Sequence, residues 1–168
     1  VVTPDPKPTE DVHVYNYWPR RGTSGHGLIE LSITHQTTVR GQYALVFDEG
    51  NGVARIGAVT ATDRKRDTVT RVVEEVYSGN LAQTVRGRWA GFVWPTPTEA
   101  GYAFRNIDIP VDDGLAPAWF IKPKRPSQHS NTWLITVHGR GSKRNEGLRM
   151  MRVAQRMGMP GLLVSYRN

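Results

Sequence analysis

The 168 residues suffice for one ordinary domain, or for one domain with part of a second. Hydrophobic side chains make up 38 % and charged ones 22 %, which excludes a disordered or collagen-like chain. No apolar run approaches the ~18 residues that a membrane-crossing helix needs, and the absence of Cys removes disulfides, thiolate metal sites and cysteine nucleophiles.

The formal net charge is +7 and is unevenly placed. Through Tyr102 the chain carries 11 basic and 11 acidic residues; from Ala103 onward it carries 11 basic and 4 acidic. Such a bias reads first as a piece of a larger domain whose acidic remainder lies elsewhere. A surface for anions or nucleic acid is the weaker reading, tested by duplex affinity with a steep salt slope, so no nucleic-acid partner is expected. The start, Val1-Val2-Thr3-Pro4, has neither Met nor a signal-peptide core, as in a trimmed or processed chain.

Residues 1–10 hold three prolines and read as a tail or linker. Short β-prone runs follow, at Val12–Trp18, Leu28–Thr34, Gln42–Phe47, Val53–Ala61, Thr68–Tyr77 and Ala90–Trp94. Between two of them, Asp48-Glu49-Gly50-Asn51-Gly52 signals a hairpin, because Gly and Asn accept positive φ cheaply. No helical periodicity is sustained, so residues 11–95 read as an antiparallel β-module of five or six strands. The Pro- and Thr-rich run from Pro95 to Gly101 marks its end.

Residues 103–168 follow a different pattern. Phe104–Val111 and Leu115–Ile121 flank the turn Asp112-Asp113-Gly114, and a polar loop runs from Lys122 to Asn131. Trp133–Val137 is continuously apolar, as in a strand buried on both faces. The Gly-rich loop His138-Gly139-Arg140-Gly141-Ser142 leads into a helix expected over Asn145–Met157. Leu148, Met151, Ala154 and Met157 share its apolar face, and Arg149, Arg152 and Arg156 lie opposite. Gly158 and Pro160 stop the helix, and Gly161–Tyr166 reads as a further strand parallel to the first.

The loop at the carboxyl end of a buried strand is the best candidate site, since main-chain N–H groups there can face an anion. A phosphate loop is disfavoured. The dinucleotide pattern meets Arg144 where its third Gly belongs, and Gly141-Ser142-Lys143 inverts the Walker order. Other candidates read as structure. His13, His26 and His35 lack metal-ligand spacing, Gly22–Gly27 and Asp112-Asp113 read as turns, and Arg64-Lys65-Arg66 is balanced by Asp63 and Asp67. Trp18, Trp89 and Trp94 with Arg86 and Arg88 suit core packing better than a stacking groove.

The strand followed by His138-Gly139-Arg140-Gly141, the hairpin Ile107–Trp119 and the end Leu163-Val164-Ser165-Tyr166-Arg167-Asn168 together resemble the opening of bacterial α/β-hydrolases that carry an extra N-terminal β-module. The resemblance implies an α+β or α/β fold: the antiparallel β-module, then the first strands, a hairpin plus β-loop-α-β, of an α/β-hydrolase sheet. It implies serine-hydrolase chemistry on an ester or amide. The Arg140 backbone N–H would donate in the oxyanion hole, with His138, Gly139 and Gly141 supporting the loop.

No serine here stands in the Gly-x-Ser-x-Gly elbow of that family. Ser24, Ser142 and Ser165 all fail it, so the chain alone is expected to be inactive and to lack nucleophile, acid and base. No cofactor is expected. The implied partners are the remainder of the hydrolase chain, or a homo-oligomer, covering the Trp133–Val137 edge, and in the intact protein a small ester or amide. The resembled group's frequent membrane anchor points towards a membrane-anchored or exported bacterial protein. The alternative is a non-enzymatic β-rich binding module.

Overall fold

A computed structural model describes residues 9–23, 25–112, 114–129, 131–139 and 141–165. The chain divides into two compact units, Asp5–Val93 and a second one beginning at Trp94.

The first unit holds β1 (Val12–Pro19), β2 (Gly27–Ser32), β3 (Tyr43–Phe47), β4 (Gly52–Asp63), β5 (Thr68–Ser78) and β6 (Arg86–Ala90). They close into an antiparallel barrel in the order β1-β2-β5-β4-β3-β6. Closure needs curvature, and β-bulges supply it: the register shifts between Val14 and Asn16 in β1 and repeatedly along β4. Alternate residues turn inward, so Val12, Val14, Ile29, Leu31, Leu45, Phe47, Ile56, Val69, Val73 and Trp89 form one core.

The last barrel strand departs from the expected Ala90–Trp94. Its sequence, Arg-Gly-Arg-Trp-Ala, hides a period of two because glycine occupies an inward position. A Cβ at Gly87 would lie 2.8 Å from Leu45 Cδ1. Gly87 pairs with Val12, and this pairing with β1 closes the barrel.

One charged side chain shares the barrel core. Arg71 sits between Val69 and Val73 on β5 and is fully buried. It has no carboxylate within ion-pair distance among the described residues. Instead its guanidinium donates to the carbonyls of Thr37 (2.8 Å), Val39 (2.9 Å), Gly41 (2.8 Å) and Gly57 (2.9 Å from Nε). Its Cζ lies 5.1 Å from the Trp89 ring centroid and 5.6 Å from that of Tyr43. Burial pulls its pKa down from the ordinary arginine range, and Tyr43 partly opposes this.

The second unit contains β7 (Phe104–Val111), β8 (Gly114–Ile121), β9 (Leu134–Val137), α1 (Leu148–Met157) and β10 (Gly161–Val164). The sheet order is β7-β8-β10-β9; β9 and β10 are parallel and the other pairs antiparallel. One face bears Trp119, Ile121, Leu134, Thr136 and Leu163, and the helix buries Leu148, Met151 and Ala154. On the opposite face, Ile135 and Val137 are 60 % and 66 % exposed.

The expected α+β or α/β class, with the opening strands of an α/β-hydrolase sheet, is corrected by this architecture. The described chain is mostly β: ten strands, six of them in a closed barrel, against a single α-helix of 10 residues. One helix and one parallel pair are outnumbered by the antiparallel pairing that dominates both sheets.

The helix also begins later than expected. A single 3-10 turn, Arg144–Gly147, precedes it, and α1 starts at Leu148. A Cβ at Gly147, in this turn, would collide with Thr136 Oγ1. Helix and sheet therefore approach closely at this point. Met157, expected on the apolar face, is 43 % exposed because the helix ends there. Gly158 caps it at φ 68°, and its N–H bonds the Gln155 carbonyl at 3.3 Å. A Cβ at Gly158 would also meet Ser127 Oγ at 2.6 Å. Gly158→Ala is expected to destabilise the chain by about 1–2 kcal/mol, the usual penalty for a left-handed L-residue. A urea midpoint matching that of the unsubstituted chain would contradict this.

Candidate functional site

Strands β9 and β10 run parallel, so their carboxyl ends lie on one side of the sheet. There a cleft of about 370 Å³ lies between Trp119 of β8 and the loop and turn that follow β9, with Ser165 at the end of β10. Its polar wall comes from His138, Ser142, Lys143, Arg144 and Asn145.

His138 directly follows the last residue of β9 and is buried. Its Nδ1 lies 3.0 Å from the Gly139 carbonyl oxygen. A carbonyl only accepts, so Nδ1 carries the proton and donates, which fixes the tautomer and ties the ring to its own loop. The same carbonyl accepts from the Ser142 N–H at 3.1 Å, closing a tight turn around Gly141 at φ 76°. The Ser142 hydroxyl donates to Glu146 Oε1 at 2.8 Å. That bond anchors the loop to the 3-10 turn.

Arg144 is one of two cations in the wall, with Lys143. Its Cζ lies 4.2 Å from the Trp119 ring centroid, and that indole also meets Phe104 edge-on (6.0 Å, 73°). Burial pulls the Arg144 pKa down, and the Asp108 carboxylate pulls it part of the way back. Its Nη1 is sealed from solvent without a hydrogen-bond partner. No described carboxylate lies within ion-pair distance of it. The cleft thus combines a fixed imidazole, two cations and an amide side chain against an aromatic wall, an arrangement that favours negative charge.

The sequence-derived site residues fall as follows. His138 lines the cleft, and Gly139 and Gly141 lie in the loop beside it. Arg140, the expected oxyanion donor, lies outside the described residues, as do Ser24, Asp113 and Tyr166–Asn168. The late start of α1 places a 3-10 turn between the loop and the α-helix. The helix dipole therefore contributes less to the loop than expected, because it fades within a turn. Trp119 and Arg144 were missed as a pair. They stand 25 positions apart, and no local pattern links them.

Trp89 is in the barrel core, Trp18 is 48 % exposed, and Trp94 belongs to the other unit, beneath Arg152 at 4.9 Å. His13 stacks on Tyr15 at 6.1 Å, and among the described residues no three His, Asp or Glu side chains converge.

A family model described as "Domain of unknown function (DUF8805)" matches residues 21–90, from the β1–β2 turn through β6 of the barrel. No curated protein and no solved structure matches the chain.

Proposed function

We propose that this chain supplies the oxyanion-stabilising part of an ester or amide acyl-transfer site, with the serine nucleophile provided by polypeptide beyond these residues. The supporting observation is the cationic cleft at the carboxyl ends of β9 and β10, entered through the loop that His138 holds. Acyl transfer needs donors preorganised around a developing negative oxygen, and removal of one such donor typically costs 10²–10³ in rate. This cleft concentrates donors and positive charge and has no serine elbow of its own. The reading rests on the loop chemistry and not on a hydrolase sheet.

Two measurements test it. The chain is expected to hydrolyse p-nitrophenyl acetate no faster than buffer. Methylphosphonate, a tetrahedral anion like the acyl-transfer intermediate, is expected to shift the Gly139 and Gly141 amide resonances and to leave the barrel resonances in place. Silent loop amides, or ester turnover by the chain itself, would count against the proposal.

The same reading supplies partners for the uncovered sheet face. Trp133, Ile135 and Val137 are exposed along an edge strand, a combination that pairs readily with further polypeptide of the hydrolase or a second copy. Light scattering is expected to show a mass that rises with concentration. Ile135→Lys together with Val137→Lys should return it to that of one chain. A monodisperse unsubstituted monomer speaks against this pairing.

A second reading, a β-rich binding module, draws on the barrel surface. Trp18 and Leu28 are cross-strand partners and both exposed, with Tyr15 exposed on the same strand as Trp18. Quenching of Trp18 fluorescence by a glycan or peptide, with the cleft resonances unmoved, would favour it.

A further inference from the structure

We infer that, of the two substrate classes open to the acyl-transfer site, the cleft selects the amide, and that Asn145 reads it as a primary carboxamide. This inference deepens the acyl-transfer reading and rests on it.

Asn145 lies in the 3-10 turn Arg144–Gly147 and lines the cleft. It is 8 % exposed, so more than nine-tenths of it is buried. A buried amide is normally bonded within the protein, because water no longer serves its two N–H donors and its carbonyl oxygen. Glu30, Thr37, Arg71 and His138 are comparably buried, and each bonds internally. The Asn145 amide bonds to nothing among the described residues. Nor is it closed off. Trp89 Nε1 and Arg144 Nη1 are sealed from solvent without a partner, and no Asn145 atom is. The amide therefore opens to the cleft that the residue lines.

A local structural role does not account for this side chain. Asn80 shows what such a role looks like: it precedes the turn Leu81–Gln83 and accepts from the Ala82 N–H at 3.2 Å. Asn145 stands inside its turn, where Lys143 holds the cap position and no side chain caps. Its polar neighbours are already committed, Ser142 to Glu146 and His138 Nδ1 to the Gly139 carbonyl.

A side-chain amide offers a donor and an acceptor side by side. A primary carboxamide matches both, its carbonyl accepting from Nδ2 while its syn N–H donates to Oδ1. An ester has the carbonyl but no N–H, so its second oxygen meets Oδ1 acceptor to acceptor. A buried polar group left unmatched rejects the wrong analogue more strongly than a merely missing contact does. A hydroxyl donates and accepts at one atom and cannot reach both ends of the amide together. The cleft, at about 370 Å³, suits a small molecule.

The test uses three neutral probes that share one ring, so the cations of the wall favour none of them. Benzamide carries the carboxamide, methyl benzoate the ester and benzyl alcohol the hydroxyl. Binding to the full chain is read by NMR shifts of the Asn145 side-chain NH₂ and the Trp119 indole N–H. Benzamide is expected to bind about tenfold more tightly than methyl benzoate, equivalent to about 1.4 kcal/mol, with benzyl alcohol weaker than benzamide.

Asn145→Leu, read at Trp119, should abolish the preference. Asn145→Asp keeps the acceptor and loses the donor, and should reduce it severalfold. If the leucine variant fails to fold, the aspartate variant decides. Equal affinity for benzamide and methyl benzoate, tighter binding of benzyl alcohol, no binding of any probe, or an unchanged preference in either variant overturns the inference. Methylphosphonate shifts at Gly139 and Gly141 without a benzamide preference would leave the acyl-transfer reading standing and remove the amide selectivity. A benzamide preference lost in Asn145→Leu, with those loop amides silent, would uphold Asn145 as a carboxamide reader and remove the acyl-transfer reading.

Discussion

Replacing Arg71 by leucine is expected to destabilise the barrel by about 2–5 kcal/mol, since each buried carbonyl left without a donor costs about 1–3 kcal/mol. The volume is roughly kept, so the loss is not a cavity effect. It arises because the carbonyls of Thr37, Val39, Gly41 and Gly57 converge on one guanidinium, and a leucine leaves the buried ones, of Thr37 and Gly57, without their donor. Arg71→Lys keeps the charge, but a point ammonium has three donors and cannot span the same arc of carbonyls, so most of the loss should remain. Urea denaturation monitored through Trp89, which lies 5.1 Å from the Arg71 Cζ, reports the change where it occurs. A midpoint shift equivalent to less than about 1 kcal/mol in Arg71→Leu would show that the 37–41 loop repacks without its cation. The loop itself should respond first. Its backbone is tied to the barrel through these bonds, so its amide exchange should rise more than that of β2 or β5.

Trp119→Ala should be the most damaging change in the second unit, with a loss of about 3–5 kcal/mol typical of a large aromatic removed from a core. Trp119 is nearly buried and contacts both Phe104 and Arg144. Its removal leaves a cavity and also deprives the guanidinium of its support. Two consequences should therefore appear together: lower stability measured at β8 and β10 by hydrogen exchange, and loss of anion-induced shifts in the cleft. Trp119→Phe separates them. It refills much of the volume and retains a π face, so stability should recover more than binding does. Full anion binding in Trp119→Ala would show that Arg144 holds its position without the indole.

The strands themselves were legible in the sequence. Alternation at Val12–Trp18 and Thr68–Tyr77 corresponds to β1 and β5, and the turn at Asp48–Gly52 joins β3 to β4. These are local properties, set by side-chain period and by residues that accept positive φ. At Arg86–Ala90 the pattern misled, because glycine and arginine do not advertise a strand. The space at Gly87 is defined only by Leu45 across the sheet.

The apolar run Trp133–Val137 suggested a strand covered on both faces. The described residues cover one face only, and Ile135 and Val137 remain open. Of the cleft, the His138-Gly139 loop was visible as a motif. The cation that lines it with Lys143 was not, because Arg144 acquires its character from Trp119 on a different strand.

By itself the sequence determined short-range matters: where strands alternate, where Gly158 ends the helix, and the concentration of positive charge after Ala103. Each follows from the chemistry of a few adjacent residues. Only the tertiary structure decided that six strands close into a barrel, that Arg71 is solvated by carbonyls rather than by water, and that Arg144 lines a cleft beside Trp119. These outcomes depend on pairings between distant positions, Val12 with Gly87 and Trp119 with Arg144, whose energies arise from shared burial. Shared burial depends on the whole set of pairings and leaves no mark on either residue's neighbours in the chain.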